Sequence, residues 1–200
     1  MRRGRDYKKS LSDGRSVWVS GREVGNVAEH RDFAPVIETV AGLIDLHHDK
    51  SAAKLLTDTD STGRFPACLR PAQTASDLKR LGAIADLLAT RTLGQMARLY
   101  DFTAAYVNGL YENRHGLSGL QTRKSGEPVA TVIADMHERF KRGFLQGTIA
   151  FSEPYGAKLP GASSQALRIT KRSRKGITVS GVKTLATGAA YADEILVLTL

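Results

Sequence analysis

The residues best suited to metal or nucleophilic chemistry are five histidines and one cysteine, and their spacing assembles no familiar constellation. His47 and His48 are adjacent, so on a helix their side chains point about 100° apart and cannot ligate one metal together. His30, His115 and His137 stand alone. No HExxH or CxxC pattern is present, and Cys68 by itself cannot build an iron–sulfur site. No metal site is expected. Nor does the chain carry a Gly-x-Gly-x-x-Gly turn after a strand, a Walker loop or a Gly-x-Ser-x-Gly elbow. Taken one at a time, the reactive side chains offer no catalytic centre.

Charge is the next lead. A net charge of +9 gathers at Arg2, Arg3, Arg5, Lys8 and Lys9 and again at Lys171, Arg172, Arg174 and Lys175. Such fields attract phosphates without regard to sequence. Neither cluster is interleaved with aromatic residues, and no DNA- or RNA-recognition signature accompanies them. The second cluster precedes Gly176, where a solvated turn between two strands is expected, so no specific nucleic-acid partner is expected. The 42% hydrophobic content is enough for a core, yet no run of 18 apolar residues would make a membrane helix. The N-terminus is basic with no apolar stretch behind it, unlike a secretory signal, and a lone cysteine suits a reducing compartment. The expected location is the cytoplasm.

The elements that would position a site follow from apolar period. Residues 1–27 read as a lead followed by a hairpin around Ser20-Gly21-Arg22. Between Ala28 and Asp49, Phe33, Val36, Ile37, Val40, Leu43 and Ile44 fall on one helical face. Residues 50–73 read as irregular. Thr74 opens a second helix, with Asp77 completing a capping box and Leu78, Leu81, Ala85, Leu88 and Thr92 as its inner stripe. A further helix is expected from Met96 to Leu110, then a loop over 113–127. Pro128 begins another helix with Val129, Val132, Ile133, Met136 and Phe140 inward, stopped by Gly143.

After Gly143 the period shortens to that of strands. Thr148–Phe151, Ala166–Thr170, Ile177–Val179, Val182–Leu185 and Ile195–Leu200 are the expected strands. The class is therefore α+β: a helical domain at 1–143 and the beginning of a β domain at 144–200. The last strand runs apolar to the final residue, which suggests a β domain left incomplete.

Several phrases together resemble the N-terminal region of the 4-hydroxyphenylacetate 3-hydroxylase family. They are Gly4-Arg5-Asp6-Tyr7 leading to Ser10-Leu11-Ser12-Asp13-Gly14-Arg15, the hairpin Val17–Val24, Asp45-Leu46-His47-His48-Asp49 and Thr74–Arg80. Ile177–Gly188 leading into Ala192-Asp193-Glu194-Ile195 completes the series. Members of that family are much longer than this chain. The resemblance implies an acyl-CoA-dehydrogenase-like architecture, of which this chain supplies the helical domain and the start of the β domain.

It also implies a chemistry. Reduced FAD, supplied by a separate NADH-dependent flavin reductase, reacts with O2, and one oxygen atom passes to a phenol. The protein shields and orients. On the family's pattern, Arg98 would be the catalytic, substrate-contacting arginine, whose cation favours phenolate character in the ring. Phe102 stands where the hydroxyphenylacetate enzymes have a tyrosine, so the pocket loses a hydroxyl. Gly147-Thr148-Ile149 matches a flavin-contacting His-Thr-Ile with Gly147 in the histidine's place, Gln146 being the residue that would have to shift to replace it. Thr187 matches a threonine near the reactive edge of the flavin. A sister branch, 4-hydroxybutyryl-CoA dehydratase, needs cluster-holding cysteines where this chain has Leu93 and Ala97.

Three readings remain open on sequence alone. The chain is the N-terminal portion of a reduced-flavin-dependent phenol hydroxylase, homo-oligomeric at full length, or an inactive truncated remnant of that family, or a basic nucleic-acid-binding protein.

Overall fold

A computed structural model of the protein describes residues 1–96, 98–122, 126–154, 166–173 and 176–198. Ala97, Arg174, Lys175, Thr199 and Leu200, named above, lie outside the described residues.

The expected N-terminal lead is a helix, α1 (Gly4–Ser10), with Asp6 in its first turn and Lys8 and Lys9 in its last, the charge order that opposes the helix dipole. Its Tyr7 is fully buried. Seven residues with one apolar ring carry too little periodicity to announce a helix; packing against the next one holds it. The hairpin then appears as expected, β1 (Val17–Val19) against β2 (Arg22–Val24), joined through Ser20 and Gly21, both at positive φ. That is the backbone a two-residue hairpin loop demands.

Helix α2 (Ala34–Asp45) starts later than its apolar pattern suggests, with Pro35 in its first turn, and buries Ile37, Val40, Leu43 and Ile44 as expected. A 3-10 turn at Leu46–His48 continues it. The stretch 50–73, expected to be irregular, holds a short helix α3 (Ala53–Leu56) and a hairpin of β3 (Thr57–Asp60) with β4 (Gly63–Pro66). Thr-Asp-Thr-Asp has no apolar alternation, so nothing marks it as a strand.

Helix α4 (Ala75–Arg91) begins with the expected capping box. Thr74 Oγ1 accepts from the Asp77 amide at 3.2 Å, and Asp77 Oδ2 accepts from the Thr74 amide at 2.9 Å. Its inner stripe is rotated from the expected one: Leu78 is 63% exposed and Ala85 exposed, whereas Ile84 and Leu88 are buried. Helix α4 packs on α3 and on the 3-10 turn Ala67–Leu69, and those neighbours select the face. Helix α5 (Tyr100–Glu112) starts four residues after the expected Met96. Helix α6 (Val129–Gly143) follows Pro128 and buries Ile133, His137 and Phe140, while Val132 faces out. Its stop is Phe144, not Gly143: Phe144 takes the left-handed conformation at φ 47° and carries its ring into the core.

The β half comprises β5 (Gly147–Ala150), β6 (Arg168–Ser173), β7 (Gly176–Ser180) and β8 (Glu194–Val197). β5 pairs parallel with β8, and β6 antiparallel with β7 across a bulge between Ile169 and Lys171. The expected strand at 182–185 is reduced to single bridges, Ala166 to Val182 and Ser152 to Thr184. β5 is buried along its whole length, and α5 packs against it.

Candidate active site

Arg98 precedes α5, and its exposed side chain lays the guanidinium over the ring of Phe102, 4.1 Å from the centroid. Stacking of this kind holds a cation in place while leaving its N–H edges free to bind. Phe102 also walls a cavity of about 280 Å³ with Leu81, Ile84, Ala105, Cys68 and Asp101. Burial pushes the Asp101 carboxyl above the ordinary carboxylate range and the Cys68 thiol far up, so Cys68 is inert at neutral pH.

The residue after Phe102 turns the other way. Thr103 Oγ1 donates to the Gly147 carbonyl at 2.7 Å, both groups being buried. Gly147 has no room for a side chain: a Cβ there would lie 2.5 Å from Thr103 Cγ2 and 2.8 Å from Phe140 Cε1. Thr103 of α5 and Phe140 of α6 thus pack closely against Gly147. Gln146 is 1% exposed and its Nε2 turns back toward the Gly147 carbonyl, at 3.4 Å.

Thr148 and Ile149 are buried in β5, opposite Ile195 and Leu196 of β8. Thr148 Oγ1 donates to the Thr187 carbonyl at 2.5 Å. Thr187 itself is exposed, followed by Gly188 at φ 86°. The six residues singled out in sequence therefore form two groups, Arg98 with Phe102 and Gly147–Ile149 with Thr187. The Thr103–Gly147 hydrogen bond joins them.

Two polar assemblies give no signal in the sequence. His137, which burial keeps neutral, donates from Nε2 toward the Leu69 carbonyl and Asn108 Oδ1, each at 3.1 Å. Asn108 Nδ2 in turn donates to the Cys68 carbonyl at 2.9 Å. These bonds fix α5 and α6 to the turn at 67–69. The second assembly surrounds Asp193, which binds Arg2 and the Gln146 amide. Both join residues far apart in the chain, which no local pattern reveals. Among the described residues no cluster of three or more His, Cys, Asp or Glu is placed to hold a metal, and no helix is long and apolar enough to cross a membrane.

Comparison with known proteins bears on this arrangement directly. Residues 3–200 match the family described as 4-hydroxyphenylacetate 3-hydroxylase N terminal. The chain belongs to this family. It is 31% identical over 97% of its length to the pyoverdin chromophore biosynthetic protein PvcC of Pseudomonas aeruginosa, covering 38% of that protein. It is 29% identical over 96% of its length to the FADH(2)-dependent monooxygenase TftD of Burkholderia cepacia, again covering 38%. The crystal structure of the oxygenase component HpaB of 4-hydroxyphenylacetate 3-monooxygenase, complexed with FAD, superposes with a TM-score of 0.88. That match is 27% identical and spans all of this chain and 41% of HpaB. The chain thus spans well under half the length of these relatives, and its fold is the α+β beginning of an acyl-CoA-dehydrogenase-like architecture.

Proposed function

We propose that these residues are the N-terminal portion of the oxygenase component of a two-component, reduced-FAD-dependent aromatic monooxygenase acting on a phenol. In this reading residues 1–143 form the helical domain and 144–200 open the β domain. The flavin, when bound, activates O2 and supplies the oxygen atom. The chain's own residues divide the remaining tasks. Arg98, held against Phe102, would place its cation at the phenol oxygen and favour the phenolate form. Phe102 would present an apolar ring and no hydroxyl.

The surface around Thr187 suits an isoalloxazine ring, which needs an apolar face with polar groups at its edge. Leu185 is 84% exposed and Phe151 39% exposed next to the antiparallel Ser152–Thr184 bridge, and the exposed Thr187 and Gly188 follow shortly after Leu185 in the chain. Thr148 spends its hydroxyl on the Thr187 carbonyl, so its part is to hold that segment against β5. The observation that carries the proposal is the Thr103–Gly147 bond: it ties α5, which begins just after Arg98, to β5, whose Thr148 in turn holds the Thr187 carbonyl. A separate NADH-dependent flavin reductase would be the partner, and a homo-oligomer the assembly of the full-length protein.

The test is Arg98→Ala in the full-length protein, supplied with reduced FAD, O2 and a panel of phenols. Hydroxylation should fall by roughly ten- to a hundredfold, the cost of one charge-assisted hydrogen bond to a desolvated anion, with reduced-FAD affinity nearly unchanged. Normal product yield from the variant would overturn the role of Arg98.

A further inference from the structure

The opening phrase of the chain has no part in the chemistry above, yet its side chains reach the far end of the described structure. Arg2 grips Asp193 with both arms, Nη1 to Oδ2 at 2.6 Å and Nη2 to Oδ1 at 2.9 Å, and the two side chains are 11% and 10% exposed. Ser10 Oγ donates to Asp193 Oδ1 at 2.9 Å. The Tyr7 hydroxyl donates to the Tyr191 carbonyl at 2.8 Å. Arg15, itself oriented by both oxygens of Asp13, donates from Nη1 to the Ala190 and Ala192 carbonyls at 3.1 and 2.9 Å. Four side chains from the first fifteen residues, Arg2, Tyr7, Ser10 and Arg15, thus hold the segment 190–193.

Asp193 also faces the strand. Its Oδ2 accepts from the Gln146 amide at 2.8 Å, and its own amide donates to the Gln146 carbonyl at 2.7 Å. Gln146 immediately precedes Gly147 and Thr148, and the segment ending at Asp193 begins at Thr187, whose carbonyl Thr148 binds. The loop 187–193 is therefore pinned at both ends, by Thr148 at one and by Asp193 at the other. Two fixed ends restrict the conformations open to a short loop. A nearly buried, bidentate arginine–carboxylate pair supplies geometry that a lysine or an amide cannot.

We propose that Asp193, clamped by Arg2 and Ser10, is a positioning residue that latches the Thr187 loop onto β5, making the N-terminal helix α1 part of the site's scaffold. The inference deepens the function proposed above and rests on it only for the flavin. In the flavin-free protein the latch is a statement about loop order alone, and that is measurable separately. An ion pair serving only as structural glue would lower stability without altering the loop selectively.

The experiment uses the full-length protein with Asp193→Asn, which keeps the shape and loses the charge, and with Arg2→Lys, which keeps the charge and loses the fork. Hydrogen–deuterium exchange of the amides of 186–193 is measured without flavin, alongside melting temperature and reduced-FAD affinity. Both variants should exchange those amides about tenfold or more faster than wild type, the factor that one charge-assisted hydrogen bond represents. Exchange in α2 and α5 should stay unchanged, and reduced-FAD affinity should weaken by a similar factor. Unchanged exchange in 186–193, or a uniform rise across all helices, would overturn the latch. If Asp193→Asn does not fold, Arg2→Lys carries the same two readings. Wild-type protein that binds no reduced FAD would sink the proposed function, while the exchange data would still decide the latch.

Discussion

His47 meets Phe144 edge to face inside the core, with ring centroids 4.4 Å apart, and Tyr100 closes the group at 5.0 Å from Phe144. The contact explains why the chain accepts left-handed φ at a bulky residue: the strain at Phe144 is offset by burying its ring among partners from the 3-10 turn after α2 and from α5. It also settles the protonation of His47, which is 1% exposed and whose Nδ1 donates to the Leu43 carbonyl at 3.3 Å.

Burial lowers the His47 pKa from 6.5 to about 4, because a charged imidazole would lose its water. In the unfolded chain the ring titrates near 6.5, so between those values the unfolded state binds a proton that the folded state refuses. Stability from this residue is complete above about pH 6.5 and declines as pH falls toward 4, by on the order of 3 kcal/mol in all. Urea midpoints measured from pH 8 to 4 should show the decline, and His47→Gln should flatten that part of the curve. Parallel curves for the two proteins would refute it.

Gly147→Ala should destabilise the fold by about 1–3 kcal/mol, the usual cost of overpacking a close-fitted core. The added Cβ would lie 2.5 Å from Thr103 Cγ2 and 2.8 Å from Phe140 Cε1, so both buried neighbours must shift. Thr103→Ser deletes the clashing methyl and keeps the hydroxyl for the Gly147 carbonyl, so the double variant should recover part of the loss. Equilibrium unfolding of the four proteins in a double-mutant cycle measures the coupling.

How much of this was readable beforehand depends on whether the signal is local. The capping box at Thr74 and Asp77, the apolar face of α2 and the turn at Ser20-Gly21 are written within a few residues, and each appears in the structure. The family resemblance pointed to Arg98 and Thr187; in the structure Thr103 ties α5, which begins just after Arg98, to β5, and Thr148 of β5 holds the Thr187 carbonyl. What the sequence hid is what packing decides: α1, the polar hairpin β3–β4, the rotation of α4, and the side chains that bind carbonyls over 40 or more residues away, as Asn108 binds Cys68. Asp193 lies in the Ala192-Asp193-Glu194-Ile195 stretch that resembles the family, but its partner Arg2 lies 191 residues earlier.

The exposed basic residues of β6 should give only weak, salt-sensitive nucleic-acid binding. Arg168, Lys171 and Arg172 all lie on a solvent-exposed strand that itself carries no aromatic residue to stack bases. Contacts to about three phosphates would give a slope near −3 in log affinity against log salt on duplex DNA. Fluorescence anisotropy at two salt concentrations, with two unrelated duplexes, should find no sequence preference. Tight binding at physiological salt would restore the nucleic-acid reading.

The sharpest distinction concerns the two threonines. The bond between them runs from the Thr148 hydroxyl to the Thr187 backbone carbonyl, so the two side chains do different things. Thr148→Val keeps the shape and removes the donor, leaving a partly buried carbonyl without its partner at a cost of about 1–3 kcal/mol. Its effect should appear in the protein before any flavin is added, as a lower melting temperature and faster exchange at 186–189. Thr187→Ala leaves that hydrogen bond intact, because only its backbone is used. Its melting temperature should match wild type, and any effect should be confined to reduced-FAD affinity and to the fraction of O2 lost as hydrogen peroxide instead of product. Equal losses of stability in the two variants would mean that the Thr187 side chain, and not its carbonyl, holds the segment, and the assignment of Thr187 to the flavin side would fall with it.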